Sequence, residues 1–269
     1  MLAILGYLLA DNLARLLPPR EAEAVAVWTA RRAFDLRHPA RAILERNLAR
    51  THPHLTSGER SATARRSFEQ FGRSLAEFLR LGHSRDPALQ GRIRVRGGEH
   101  LASARSTGRG VIVLSAHAGN WEWGAAYLAD AVRALHVIAR PHPSRWVERF
   151  FRMRRASHGV RTLRPGRTWS EAASALRRGE WVAMMGDRPA PGSRRPPCAW
   201  AAALARRTGA VLLPAVVIRT GPGRYAACFA PPITLEDCAA GAYILCMMRW
   251  LNPRLAQWQP FETLPAGWP

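Results

Sequence analysis

Along the first ninety residues the apolar positions recur three and four apart and never alternate. Leu2, Leu5, Leu9, Leu13 and Leu16 open the chain at roughly helical spacing. Arg20–Arg37 and Pro39–Arg50 continue it in Ala- and Arg-rich segments, and Ser61–Leu81 places Phe68, Phe71, Leu75, Phe78 and Leu79 on one stripe, the mark of amphipathic helices. The intervening THPHLTSGER carries turn residues, with Thr56 or Ser57 available to cap a helix ahead of Glu59. Near Pro87 the pattern changes. IRVRG alternates, GVIVLS and LHVIAR are short continuous apolar runs, and WVAMMGD and AVLLPAVVIR each follow a helical segment and a glycine, SEAASALRRGE and AWAAALARRTGA. A helix–glycine–strand unit recurring in this way predicts an α/β fold with a largely parallel sheet. YAACFAPPI reads as the last strand, Tyr243–Leu251 as a closing helix, and a Trp/Pro-rich tail ends the sequence. With no internal repeat, the expectation is one structural unit of two parts: a helical region over 1–90 and an α/β core over 91–269.

Composition narrows the partners. A hydrophobic share of 48% in 269 residues suits a sizeable core and argues against a disordered chain. Net charge is +21, and all 40 basic side chains are arginines. Guanidinium groups do not titrate and fit phosphate and carboxylate, so nucleic acid, an anionic membrane, an acidic protein and phosphorylated substrates all remain candidate partners. Cys198, Cys228, Cys238 and Cys246 form no metal-ligand or redox spacing and read as reduced, mostly buried thiols. The opening MLAILGYLLADNLARLLPPR is broken by Asp11, Asn12 and Arg15 and falls short of a membrane span. It also lacks the basic n-region and cleavage site of a signal peptide. Two readings stay open for it, a first core helix or a helix lying in the membrane interface.

The chemistry gathers in VIVLSAHAGNWEWGAAYLA. His117 stands at the carboxyl end of a buried strand, where open α/β sheets place their sites, and Asn120 can cap the helix that starts at Trp121. On a continuous helix His117 and Glu122 would face apart. With His117 on the turn, Glu122 in the first helical turn is expected to reach back and accept one ring N–H, leaving the other nitrogen as a base. Ser115 has no G-x-S-x-G context, so a serine hydrolase fits poorly. A His–carboxylate dyad without a protein nucleophile suits deprotonation of a substrate hydroxyl that attacks an activated carbonyl. Asp187, after WVAMMG, occupies a second strand end, where it either shapes the site or caps a turn beside Arg188. Trp121 and Trp123 read equally as the lining of a substrate channel or as core residues.

HAGNWE resembles the H-x4-D/E motif of glycerolipid acyltransferases, and the whole run is similar to the bacterial lipid A late acyltransferase family. The resemblance continues through ILERNLARTHPHLTSGERSATARRSFEQFGRSLAEFLRL, through VIARPHPSRWVERFFRMRRASHGVRTL with Arg140 and the Arg155-to-Gly159 spacing, and through LRRGEWVAMMGDRP, LARRTGAVLLPAVVIR and NPRLAQWQPFE. It departs after Asp187, where APGSRRPPCAW replaces an aromatic, glycine-bearing loop, and near the end, where Arg254 and Leu255 stand between Pro253 and Ala256-Gln257-Trp258.

The resemblance implies an αβα sandwich and a membrane-associated O-acyltransferase on the cytoplasmic face of the bacterial inner membrane, peripheral or monotopic. It would move a fatty acyl chain from acyl carrier protein or a coenzyme A thioester to a hydroxyl of a lipid A precursor. His117 is then the general base and Glu122 its orienting group. Asn120 is a candidate oxyanion donor, Arg140 and Arg155 grip phosphates, and Asp187 and Arg188 complete the substrate site. No metal and no cofactor beyond the acyl thioester co-substrate is expected. Another glycolipid, a lysophospholipid or an amphiphilic alcohol is the alternative acceptor. A non-catalytic nucleic-acid- or membrane-binding protein is the alternative of another class, and no helix-turn-helix, RRM or zinc-finger pattern organises the arginines for nucleic acid.

Overall fold

The computed structural model describes residues 2–81, 89–164, 166–187, 197–239 and 241–264. Four helices come first: α1 (Leu2–Leu16), α2 (Pro19–Asp35), α3 (Pro39–Thr51) and α4 (Ser57–Leu81). Thr56 caps α4. Its hydroxyl accepts the Glu59 N–H at 3.2 Å while its own N–H donates to Glu59 Oε2 at 2.8 Å, the reciprocal capping box that the sequence permits. Helix α1 has two faces. Ile4, Tyr7, Ala10 and Ala14 pack on Phe78 and Leu79 of α4, whereas Leu5, Leu8, Leu9 and Leu16 stand in solvent. Arg80 closes the carboxyl end of α1 by donating to the Ala14 and Leu17 carbonyls, both at 2.8 Å, groups that a helix end leaves without intrahelical partners.

The remainder alternates strands and helices: α5 (Leu89–Arg92), β1 (Ile93–Arg96), α6 (Gly98–Ser106), β2 (Val111–Ser115), α7 (Trp121–Ala131), β3 (Leu135–Val137), α8 (Arg145–Ala156), β4 (Val160–Thr162), α9 (Thr168–Arg177), β5 (Trp181–Met185) and α10 (Pro197–Thr208). Then come β6 (Val211–Gly221), β7 (Arg224–Phe229), α11 (Leu235–Ala239), α12 (Ala242–Leu251) and a 3-10 turn over Asn252–Gln257. The strands form one seven-stranded sheet in the order β1-β7-β6-β2-β5-β3-β4. Every pairing is parallel except the β6–β7 hairpin. Gly179 and Gly209, the glycines between helix and strand, have φ of +74° and +70°, the left-handed conformation that ends a helix most cheaply with glycine.

Alternation along the central strands fills both faces of the sheet. Ile112, Leu114, Val182, Met184 and Leu212 pack under α9, α10 and α12. Val111, Val113, Leu213 and Val217 pack under α6 and α7. Each fully buried aliphatic side chain contributes about 1.5–3 kcal/mol, so the layers on either side fix the sheet between them as an αβα sandwich. On one flank Arg178 and His136 converge on Glu180, just ahead of β5, at 2.7 Å from Nη2 and 2.9 Å from Nε2. Hydrogen bonding to Arg178, chiefly, holds the Glu180 carboxyl down to about 2, with His136 assisting. Two elements depart from expectation. β4, with one buried residue in three, carries too little apolar signal to predict, and LHVIAR yields a strand of only three residues.

Candidate active site

Strands β2 and β5 are paired in register, Ser115 opposite Met185. Two residues beyond each lie His117 and Asp187, so the register brings them level at the carboxyl edge of the sheet. The Gly186 N–H donates to the Ser115 carbonyl at 2.7 Å and carries the pairing to the strand ends. There His117 Nδ1 lies 2.7 Å from Asp187 Oδ1, and the His117 backbone N–H donates to Oδ2 at 2.9 Å. Trp258 Nε1 donates to the same Oδ2 at 3.2 Å. Asp187 has no solvent exposure. A buried carboxylate is tolerable only when its lone pairs are met, and these three donors meet them. With Nδ1–H facing the carboxylate, Nε2 is the basic nitrogen. No described residue engages Nε2, and the His117 side chain keeps 17% of its surface in solvent.

The expected His117–Glu122 contact is therefore corrected. Glu122 sits on the first turn of α7 and faces α8, where it accepts from Arg155 Nε at 3.0 Å and Nη2 at 2.7 Å. Burial disfavours the charged guanidinium of Arg155, but the Glu122 charge and hydrogen bonds outweigh it and raise its pKa above the ordinary value. A planar guanidinium grips a carboxylate with two bonds, so Glu122 has a strong partner on its own side of the helix. Asp187, arriving on the adjacent strand, supplies the carboxylate that the histidine needs.

Asn120 is corrected as well. Its Oδ1 accepts the Trp123 N–H at 3.3 Å and caps α7 as expected, while Nδ2 donates to Glu77 Oε2 at 3.0 Å and the Ser74 carbonyl at 3.3 Å. At 1% exposure, this amide is committed to the protein and is not a donor to a substrate oxyanion. Arg140 is half exposed and pairs with Glu262 at 2.8 Å. Arg188 and most of the APGSRRPPCAW segment lie outside the described residues. Trp123 is buried against Tyr225 and belongs to the core, whereas Trp121 stands edge-on to the His117 ring, centroids 5.3 Å apart.

The turn that carries His117 is fastened from several directions. Gly119 has φ +55°, and a Cβ there would overlap the Val217 carbonyl oxygen, so only glycine fits. Its N–H donates to the Gln257 carbonyl at 3.0 Å, and its carbonyl accepts from Ser74 Oγ at 2.8 Å and Gln259 Nε2 at 3.3 Å. The Gln259 N–H donates to the His117 carbonyl at 2.8 Å. Residues 257–259 thus lie along the turn as a short antiparallel bridge, Ala118 opposite Trp258. Sequence reasoning missed this partnership. The only signal was the Gln257-Trp258 pair in an otherwise irregular tail.

A sequence-family profile described as bacterial lipid A biosynthesis acyltransferase matches residues 3–259. No curated protein matches the chain. Among solved structures the chain is similar to the 1-acyl-sn-glycerophosphate (LPA) acyltransferase PlsC from Thermotoga maritima, at 15% sequence identity and a TM-score of 0.39, over 88% of this chain and 99% of that one.

Proposed function

The chain belongs to the bacterial lipid A biosynthesis acyltransferase family, and on that premise we propose that it moves a fatty acyl group from an acyl thioester to a hydroxyl of a lipid A precursor, with His117 as general base and Asp187 as its orienting group. The observation that carries the assignment is the 2.7 Å contact between His117 Nδ1 and the fully buried Asp187, which leaves Nε2 as the acceptor for a proton. In the reaction, Nε2 takes the proton of the acceptor hydroxyl as its oxygen attacks the thioester carbonyl carbon. Asp187 stabilises the imidazolium that forms, as in other His–carboxylate pairs. The tetrahedral intermediate collapses with loss of the thiolate, which regains the proton from Nε2. With the Asn120 amide committed elsewhere and its Oδ1 holding the Trp123 N–H, the Trp121 and Glu122 N–H groups that open α7 are, among the described residues, donors open to the oxyanion.

Acyl carrier protein, an acidic donor carrier, suits the +21 surface, and coenzyme A is the alternative donor. Arg140 can exchange the Glu262 carboxylate for a phosphate. Arg155, locked to Glu122, reaches a phosphate only by leaving that carboxylate. Among the described residues no helix is long and apolar enough to cross a membrane. The outward leucines of α1 suit a helix lying in the bilayer interface, with the arginine surface against anionic headgroups, and we place the protein at the inner membrane on that ground.

Lipid mass spectrometry of cells carrying the wild type, His117→Ala or no copy tests the reading. A lipid A species that gains one acyl chain with the wild type alone is the expected result. A His117-dependent gain on another glycolipid or a lysophospholipid replaces the acceptor. Transfer by a well-folded His117→Ala protein would sink the mechanism.

A further inference from the structure

Glu77 sits near the carboxyl end of α4, in the helical region, yet its carboxylate is the meeting point of the groups behind the His117 turn. It accepts Asn120 Nδ2 at 3.0 Å, Arg219 Nη1 at 2.7 Å and Nη2 at 2.5 Å, and the Tyr225 hydroxyl. From it two chains of contacts lead to the turn. The first runs through Asn120, which caps α7 at Trp123. The second runs through Arg219 on β6, whose backbone N–H and carbonyl hold the Gln257 side chain at 2.8 Å each, while the Gln257 carbonyl accepts the Gly119 N–H.

The arrangement has the chemistry of a positioning device. A carboxylate that receives a bidentate guanidinium and two neutral donors is fixed in orientation, and fully connected buried polar networks hold their members rigidly. Arg219 and Glu77 are largely buried, with side-chain exposures of 8% and 15%, so neither is a flexible surface charge. The network touches no atom on the open side of His117, and its effect on chemistry must pass through the turn.

We propose that Glu77 is a positioning residue for the transfer reaction: through Asn120 on one side and Arg219 on the other, its carboxylate holds the turn that presents His117 to Asp187. This rests on the acyl-transfer reading. It makes the helical region part of the active-site framework.

The test uses the whole 269-residue chain as wild type, Glu77→Ala, Glu77→Gln, Asn120→Ala and the double variant Glu77→Ala/Asn120→Ala. Glu69→Gln serves as a control on the same helix, because Glu69 pairs with Arg31 and Arg73 and touches nothing at the turn. Hydrogen exchange of residues 116–123 is followed alongside steady-state kinetics with an acyl thioester. Glu77→Ala is expected to speed exchange at the turn while β2 and β5 stay protected, and to lower kcat about 10- to 100-fold with KM little changed. Glu77→Gln, which keeps the shape and one acceptor oxygen, should recover part of both. The loss in the double variant should fall well short of the product of the single losses, because Glu77 acts in part through Asn120. Should Glu77→Ala fail to fold, Glu77→Gln carries both readouts. Wild-type exchange at the turn with intact kcat per folded molecule, or losses that multiply, would overturn the proposal. If the wild type transfers no acyl group, the exchange data still decide whether Glu77 holds the turn, so the two readings fail separately.

Discussion

Asp187 accepts from His117 twice and from Trp258 once, and an asparagine there would present an N–H or an amide oxygen to His117 Nδ1. Either choice weakens control of the tautomer. Asp187→Asn is therefore expected to lower kcat by about 10²- to 10⁴-fold with binding of both substrates retained. The 15N shifts of the His117 ring, which report where its proton sits, should change with it. Glu122→Gln acts differently. It leaves the buried Arg155 guanidinium without its counter-charge and disturbs the α7–α8 contact, while the His117 ring shifts keep their wild-type pattern. A wild-type ring spectrum in Asp187→Asn would overturn the assignment of roles. His117 and Asp187 were each legible in the sequence as polar residues closing an apolar run. Their pairing was not, because nothing in the linear pattern says that β2 and β5, with β3 and β4 between them in the chain, are neighbours in the sheet. Glu122 was the carboxylate near in sequence, and Asp187 is the one near in space.

Elements were more legible than their joints. Apolar stripes, the Thr56 cap and the helix–glycine–strand rhythm all report local backbone preferences, which survive into the fold. The tail at 257–259 has no such preference, since its conformation is set by the turn it lies against. Gly119 shows how tightly that joint is made. With φ of +55° and the Val217 carbonyl where a Cβ would go, Gly119→Ala is expected to cost at least about 2 kcal/mol, read as a lower midpoint in urea, and to abolish transfer. On the flank of the sheet, Glu180 makes a separate prediction. Its folded-state pKa is about 2 against an ordinary 4.5. A depressed carboxyl stabilises the fold above the unfolded value, and that contribution is lost as pH falls through the folded value. Glu180→Gln should therefore be less stable than wild type at pH 7, with the gap closing as pH falls from 4.5 toward 2. A gap that persists at the acid end would mean that packing, and not the Glu180 charge against Arg178, accounts for it.

For the whole molecule the composition has a measurable consequence, because every positive side chain among the 40 is an arginine. Binding to anionic vesicles should weaken as salt shortens the Debye length, yet persist to about pH 10, where lysine charges would be disappearing and guanidinium charges are not. Replacing the exposed Leu5 and Leu9 with glutamate should release the protein at any salt. Unchanged flotation of that variant would remove α1 from the membrane contact. Synthesis runs from the helices toward the tail, so a nascent chain holds His117 and Asp187 long before it holds the segment at 257–259 that clasps their turn. On such a chain the turn has its contacts with Asp187 and Ser74 but lacks those with Gln257 and Gln259. Residues 257–259 complete the proposed site, so a nascent chain is expected to gain transfer activity only once it has been translated through Gln259.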